Sequence, residues 1–401
     1  MTAMETTMHD SVQVPGFLGN GIAAGIKGGR GKDLSLIFSK VPARAVGVFT
    51  TNRFKAAPVI LDMKRIKKGI AQAIIVNSGN ANAATGKGGD EDASTMSRVT
   101  SRALGIEDEL VLVASTGIIG EKLPIEKIAR SIEPLVGGLS ADGMPSVAEG
   151  IITTDRFPKV EYRKCFVGGK EVTICGIAKG AGMIEPNMAT MLSFIMTDAD
   201  IDYACLTSLF KESAGKSFNA ITVDGCMSTN DTAIMLANGV AGNSLISETS
   251  GNLVEFREAL SGVMVSLAKS IVKDGEGATK LIEIVVEGAK LAADAKAIAY
   301  AIANSNLVKT AFFGEDPNWG RIISAAGSTG VPFSTDSLEL YIEDVPLFIN
   351  GVGISGKQAA GIMKKDNIRV LVRLGMGKET FSVYTSDLSH EYIDINALYH
   401  S

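Results

Sequence analysis

Short apolar runs of strand length alternate with amphipathic helical segments along the whole chain, and this alternation limits the fold more than any other feature. LSLIFS, AVGVFT (45–50) and AIIVNSG (73–79) have the length and composition of strands. LVLVASTGIIG (110–120) predicts a strand that breaks into a Gly loop. DASTMSRVTSRAL (92–104), PIEKIARSIEPLV (124–136), LTSLFKESAGKSF and LVEFREALSGVMVSLAKSIVKDG (253–275) carry helical spacing. KVEYRKCFVGG and KEVTICGIAKG (159–180) predict a hairpin, and TMLSFIMTDADI (190–201) the strand after it. ITVDG and LIEIVVEG (281–288) predict strands, and AADAKAIAYAIANS (292–305) a helix. In the last part, LELYIEDVPLFING, IRVLVRLG and TFSVYTSD predict strands around one helix, KQAAGIMKK. Hairpins and crossovers together favour a layered α/β or α+β body over pure parallel winding. No repeat of 20–50 residues interrupts it. The expected division is a main body, 1–285, and a smaller C-terminal α/β domain, 286–401.

Composition narrows the function. A net charge of −5 argues against a nucleic-acid partner, which calls for a basic face. No run of about 18 uncharged apolar residues is present, so no membrane span is expected. The start, MTAMETTMHDSVQVPG, has neither the basic and apolar parts of a secretory signal nor the Arg-rich pattern of a transit peptide. Cys165, Cys175, Cys205 and Cys226 lack CxxC spacing and read as free thiols of a reducing, cytoplasmic setting. The three histidines, His9, His390 and His400, lie near the ends, so a histidine base in the middle of the chain is excluded. No HExxH or Cys/His cluster supports a metal, and no cofactor is expected.

Several motifs favour a plain structural reading when taken alone. GVGISGKQ (351–358) contains G-x-G-x-x-G and nearly matches a phosphate loop, but Gln358 stands where a Ser or Thr hydroxyl is needed. It reads as a Gly-rich strand-to-helix turn. GEDPNWGRI (314–322) gives a turn and helix start, with Trp319 as a packing anchor. VNSGNANAATGKGGDED (76–92) reads as a turn cluster whose small residues permit close backbone approach, as in a pocket lining. STGIIG (115–120) places a hydroxyl, Thr116, and backbone N–H groups past a strand end, where an oxyanion hole can form.

KGAGMIEPNMATMLSFIM (179–196) points further. Lys179 ends a strand, Gly180 and Gly182 permit unusual backbone angles, and Pro186 fixes the turn before Ala189 and Thr190. If the loop strains the Ala189–Thr190 peptide, the Thr190 hydroxyl can attack the Ala189 carbonyl. Hydrolysis of the resulting ester would free Thr190 as a new N-terminus. Its α-amine, with an ordinary pKa of about 7.7–8.0, would then be a base beside the hydroxyl. This chemistry needs no histidine. Thr190 as a simple strand-start residue is the competing reading.

With GIKGGRGKDLSLIFS, AVGVFTTNRFKAAPV, VNSGNANAATG, STGIIG, KGAGMIEPNMATMLSF, TVDGCMSTNDT, LVKTAFFGEDPNWGRI and INALYHS in order, the chain resembles the ornithine acetyltransferase family of arginine biosynthesis over nearly its whole length. The resemblance implies a layered fold of the self-processing, N-terminal-nucleophile-like type. It implies cleavage between Ala189 and Thr190 into an α chain, 1–189, and a β chain, 190–401, associated as α2β2. It implies transfer of an acetyl group from N2-acetyl-L-ornithine to L-glutamate through an acetyl-Thr190 ester, with acetyl-CoA as a second donor in bifunctional members. Thr116 and Gly117 match the family's oxyanion hole. Thr153, Lys179, Thr190, Glu276, Asn396 and Ser401 match its substrate-binding positions, where Lys179 would suit a carboxylate and Glu276 the ornithine ammonium. The chain departs from the family at Tyr399-His400-Ser401, Ala84 and Cys226. A self-processing aminopeptidase or amidohydrolase of the same fold, which passes its acyl group to water, and an unprocessed binding protein are the alternatives.

Overall fold

A computed structural model describes residues 13–185 and 191–398 of the chain. Contacts divide the described residues into two units, one of 13–185, 191–219 and 226–271, and one of 220–225 and 272–398. The strand Leu281–Ala289 pairs on both sides inside the second unit.

The first unit opens with β1 (Phe17–Ile22) and the long β2 (Leu34–Phe49), followed by α1 (Ala57–Arg65), β3 (Ile70–Asn80), α2 (Gly86–Leu104) and β4 (Val111–Ile118). Then come α3 (Ile125–Gly137), α4 (Met144–Ile151), β5 (Lys159–Val167), β6 (Lys170–Lys179), β7 (Leu192–Thr197) and α5 (Tyr203–Lys216). After β8 (Ile221–Thr222), which belongs to the second unit, the chain returns with β9 (Thr232–Ala237) and α6 (Leu253–Lys273). The strands form one sheet in the order β4-β3-β2-β9-β7-β6-β5, with β1 beside β2. LSLIFS and AVGVFT, expected as two strands, are the two ends of β2. The register against β3 slips between Phe38 and Ala43, where Pro42 cannot donate to the ladder. One end of β2 pairs with β1 and β3, and the other with β9.

Alternation along each strand builds the layers. Ile74 and Val76 of β3 and Leu112 and Ala114 of β4 join Ile177, Phe194, Met196, Ile234 and Leu236 of β6, β7 and β9 in one buried cluster. The neighbouring positions, Ala73, Ile75, Val111 and Val113, join Ala57, Met96, Ile128 and Ile132 of α1, α2 and α3 in another. Behind β6, Gly176 lets a helix approach closely: a Cβ there would lie 2.6 Å from Leu267 of α6 and 2.7 Å from Val263. The unit is therefore a layered α/β body in which helices pack on a mixed sheet, in keeping with the expected fold class.

The second unit continues with β10 (Leu281–Ala289), α7 (Ala292–Ala303), α8 (Asn306–Phe313), α9 (Trp319–Gly327), β11 (Glu339–Ile342), β12 (Val345–Ile349), β13 (Val352–Gly353), β14 (Asn367–Arg373), β15 (Glu379–Ser386) and α10 (His390–Leu398). Its sheet runs β13-β12-β11-β14-β10-β15-β8. Ile282, Ile284 and Val286 of β10 pack under Ile298, Ile302 and Phe312 of α7 and α8. The side chain of Asn318 caps α9 by accepting from the Arg321 N–H, as the Asp-Pro-Asn turn predicts. Trp319 packs against Phe348, ring centroids 5.8 Å apart.

Two expectations are corrected. KQAAGIMKK is not an α-helix but two short 3-10 turns, Gly356–Ala359 and Ile362–Lys364, separated where Gly361 weakens helical propensity. GVGISGKQ therefore lacks the following helix that a phosphate loop requires. GKGGDED, read as part of a turn cluster, is instead the first part of α2.

Candidate active site

The strand ends of the first unit converge on a buried polar set. β6 ends in Lys179, which is only 5% exposed and donates to the Thr153 hydroxyl at 3.2 Å. Two of the expected substrate-binding residues are thus brought together. Beneath them lies Asp155, which the sequence reading missed. Its side chain is 0% exposed and pairs with Lys159 Nζ at 2.7 Å, itself 1% exposed. The Asp155 carboxylate also accepts from the N–H groups of Gly180, at 2.7 Å, and Thr153, at 3.0 Å. Burial alone would raise its pKa, but Lys159 and Lys179 outweigh that and hold it at about 2. Asp155 therefore fixes both the end of β6 and the start of the loop toward 186–190.

A third cation joins from the loop after β1. Lys27 donates through Nζ to the carbonyls of Ile152, at 2.7 Å, and Lys32, at 2.9 Å. Burial, assisted by repulsion from Lys179, brings its pKa down to about 8 against the pull of Asp33 and Asp155. Its stem lies against Gly79, at the end of β3.

Gly79 pairs with Gly117 at the end of β4, so the expected oxyanion residues stand in this same set. Thr116 is 8% exposed. Gly117 has φ +133°, and a Cβ on it would lie 2.3 Å from the Gly79 carbonyl carbon and 2.5 Å from the Asn80 nitrogen. Only glycine lets β3 and β4 close to that distance. The Asn-rich loop beside them is pinned rather than loose. Ser115 Oγ donates to Asn77 at 2.6 Å, Asn77 Nδ2 to the Asn80 carbonyl at 2.8 Å, and the Asn82 N–H to Asn80 Oδ1 at 2.8 Å. Asn230 Nδ2 donates to the carbonyls of Ala81, at 2.6 Å, and Ser115, at 2.8 Å, tying β3 and β4 to the start of β9. The next rung joins β9 to β7, the Thr232 N–H donating to the Met191 carbonyl at 3.1 Å. Thr116, Gly117, Thr153 and Lys179 therefore belong to one connected arrangement around the strand end that Met191 begins.

The second unit holds a separate pair. Glu276, 9% exposed, accepts from Asn396 Nδ2 of α10 at 2.8 Å. Neither Lys179 nor Glu276 is an ordinary surface charge. Ala189, Thr190 and Ser401 lie outside the described residues.

The first unit's set offers cations for a carboxylate and, at Thr116 and Gly117, groups suited to an oxyanion, the needs of acyl transfer between amino acids. Lys27, Asp155, Lys159 and Asn230 gave little warning in the sequence. The only signal was the crowding of Lys, Gly and Asp in GIKGGRGKD and of Ser, Thr, Asn and Asp in STND.

Comparison with known proteins agrees. The ArgJ family model matches residues 19–401. A protein of Geobacter sulfurreducens named "Arginine biosynthesis bifunctional protein ArgJ" is 51% identical over 97% of this chain and 100% of its own. One of the same name from Caldanaerobacter subterraneus is 48% identical over 98% and 99%. The crystal structure of an arginine biosynthesis bifunctional protein argJ from Bacillus halodurans is 38% identical, with TM-score 0.51, over 52% of this chain and 100% of that one.

Proposed function

The chain belongs to the ArgJ family, and from that premise we propose that it is the acetyltransferase that moves an acetyl group from N2-acetyl-L-ornithine to L-glutamate. The chain first cuts itself between Ala189 and Thr190. The freed Thr190 hydroxyl attacks the acetyl carbonyl, and its α-amine takes the hydroxyl proton. Thr116 and the backbone at Gly117 hold the developing oxyanion. Ornithine leaves, glutamate enters, and its amine takes the acetyl group from Thr190. Acetyl-CoA as a second donor to glutamate belongs to the same reading, as do two cytoplasmic products that stay associated as α2β2.

The observation that carries this reading is the buried set at Lys179. Lys179, Lys159 and Lys27 bring three cations to the strand ends beside Asp155 and Asp33. Both substrates bring an α-carboxylate, and a buried cation is the group that retains one. Glu276 and Asn396, already in contact, are proposed to hold the ornithine ammonium; Thr153 and Ser401 complete the substrate contacts. The Bacillus halodurans chain, aligned end to end with about half of this one, also supports the reading, because each cleavage product would have about that share.

Initial rates test it. With both substrates varied, reciprocal plots of ornithine release are expected to be parallel, the mark of two half-reactions that share an acetyl-enzyme. Intersecting plots would contradict the covalent route. Release of acetate in place of N-acetylglutamate would move the chain to the hydrolase alternative.

A further inference from the structure

Lys27 touches two parts of the candidate site at once. Its Nζ donates to the Ile152 carbonyl at 2.7 Å, and the next residue, Thr153, accepts from Lys179 Nζ at 3.2 Å. Consecutive Cα atoms lie about 3.8 Å apart, so the two ammonium groups hold neighbouring residues of one short segment. On its other side the Lys27 stem packs on Gly79, where a Cβ would lie 2.8 Å from Lys27 Cγ. Gly79 pairs with Gly117, an expected oxyanion residue. Lys27 therefore stands between residues proposed to hold substrate and residues proposed to hold its oxyanion.

An ammonium has three N–H donors, and a charge withdrawn from water is normally paired. Lys27 is half-buried. Among the described residues its Nζ has two partners, the carbonyls of Ile152 and Lys32, and neither carries a charge. The carboxylates nearby are engaged elsewhere. Asp33 accepts from the N–H groups of Ala24, at 2.5 Å, and Lys27, at 2.9 Å. Asp155 accepts from Lys159 Nζ and from the N–H groups of Gly180 and Thr153. Glu149 pairs with Lys32. Burial, and then repulsion from Lys179, hold the Lys27 pKa at about 8 against Asp33 and Asp155, so its charge is incompletely compensated. A purely structural role, tying the 27–32 loop to Ile152, explains the two carbonyl bonds. It leaves the third donor and the uncompensated charge without a partner, and an anionic ligand supplies one.

We propose that Lys27 is a second substrate-binding cation, taking one oxygen of the substrate α-carboxylate while Lys179 takes the other. This rests on the function proposed above, in which N2-acetyl-L-ornithine and L-glutamate occupy this set in turn. Both bring the carboxylate that Lys27 lacks, so one pair of lysines serves both half-reactions. No bond to the carboxylate is made or broken in the transfer. The contact is therefore shared by ground and transition states, and its loss is expected in KM more than in kcat.

The test compares N2-acetyl-L-ornithine with N-acetyl-1,4-diaminobutane, the same donor without its carboxylate, on the wild-type enzyme and on Lys27→Met. The substitution keeps an apolar stem against Gly79 and removes the ammonium. With acetylornithine, kcat/KM is expected to fall by about 10- to 100-fold, mostly through KM, the weight of a hydrogen bond to a charged group. The KM for L-glutamate is expected to rise likewise. The donor without a carboxylate is expected to be used equally poorly by both proteins. Lys27→Arg, which keeps a charge, is expected to recover part of the preference for acetylornithine. Equal losses on the two donors would overturn the binding role and leave the proposed function standing. If Lys27→Met does not fold, labelling of the wild-type enzyme by an amine-reactive ester at about pH 8 decides, because Lys27 is there partly free amine. N-acetyl-L-glutamate, which has no amine of its own, is expected to protect Lys27, read on its peptide by mass spectrometry. Labelling of Lys27 that this product leaves unchanged would overturn the role. A wild-type enzyme that transfers no acetyl group from acetylornithine would overturn the proposed function, and this inference with it.

Discussion

Replacing Thr190 with alanine is expected to leave one uncut chain that transfers no acetyl group, while the wild-type protein separates under denaturing conditions into 1–189 and 190–401. Under the proposed mechanism both losses come from one atom: the hydroxyl oxygen would cut the chain and then carry the acetyl group, so its removal would stop the first event and leave the second without a carrier. Loss of an enzyme nucleophile costs about 10⁶-fold in rate, which places residual transfer below detection. Thr190→Ser restores the hydroxyl and is expected to recover cleavage and part of the transfer. A merely structural Thr190, chosen for its β-branch at a strand start, would give the opposite pattern. Wild type and Thr190→Ala would then both be single chains.

The second large effect lies one step back from the chemistry. Asp155→Asn is expected to cost about 3 kcal/mol of stability at neutral pH, read from urea unfolding. Two arguments meet near that value. Removing one member of a buried ion pair costs about 3–5 kcal/mol, because the other charge is left unpaired. Separately, the drop of the Asp155 pKa from its ordinary 3.8 to about 2 corresponds to about 2–3 kcal/mol at about 1.4 kcal/mol per unit. The sign follows from the direction of that drop. A carboxyl lowered in the folded state stabilises fully above its unfolded pKa and loses that contribution as pH falls through the folded one. The stability gap between wild type and Asp155→Asn is therefore expected to be full above about pH 4 and to close toward about pH 2. A gap that does not change over that window would mean Asp155 acts through shape alone. Activity is expected to fall with stability, because the same carboxylate holds the Gly180 N–H and the ammonium groups of Lys159 and Lys179.

Much of this molecule could be read before it was seen. The short continuous apolar runs in AIIVNSG and LVLVAS located β3 and β4, while which of their residues join which buried cluster emerged only from the packing. The Asp-Pro-Asn turn located α9. Reading failed where distant contacts override local pattern. Nothing local says that LSLIFS and AVGVFT are one strand, because the slip at Pro42 looks like a turn until β3 and β9 are present to pair on either side. KQAAGIMKK has helical composition, and only Gly361 within it and Gly356 just before it warn of interruption.

The site divides in the same way. The motif around Thr190 and the strand end at Thr116 and Gly117 carry local signs in the sequence: glycine, proline, and a hydroxyl near a strand end. The charge set does not. Asp155 and Lys159 are four apart, a spacing that suggests a helical surface pair, yet they are buried beside a strand start. Lys27 reaches Ile152 across 125 residues, and Asn396 reaches Glu276 across 120. Such partners become visible only when the fold brings them together.

The claim that joins fold, cleavage and transfer is that Thr190 carries the acetyl group. Its direct measurement is the intact mass of the 190–401 chain after brief exposure to N2-acetyl-L-ornithine without glutamate. The chain is expected to gain the mass of one acetyl group, to carry it on the N-terminal residue on fragmentation, and to lose it when L-glutamate is added. An unchanged mass, under conditions in which acetyl transfer proceeds, would contradict the acetyl-Thr190 intermediate.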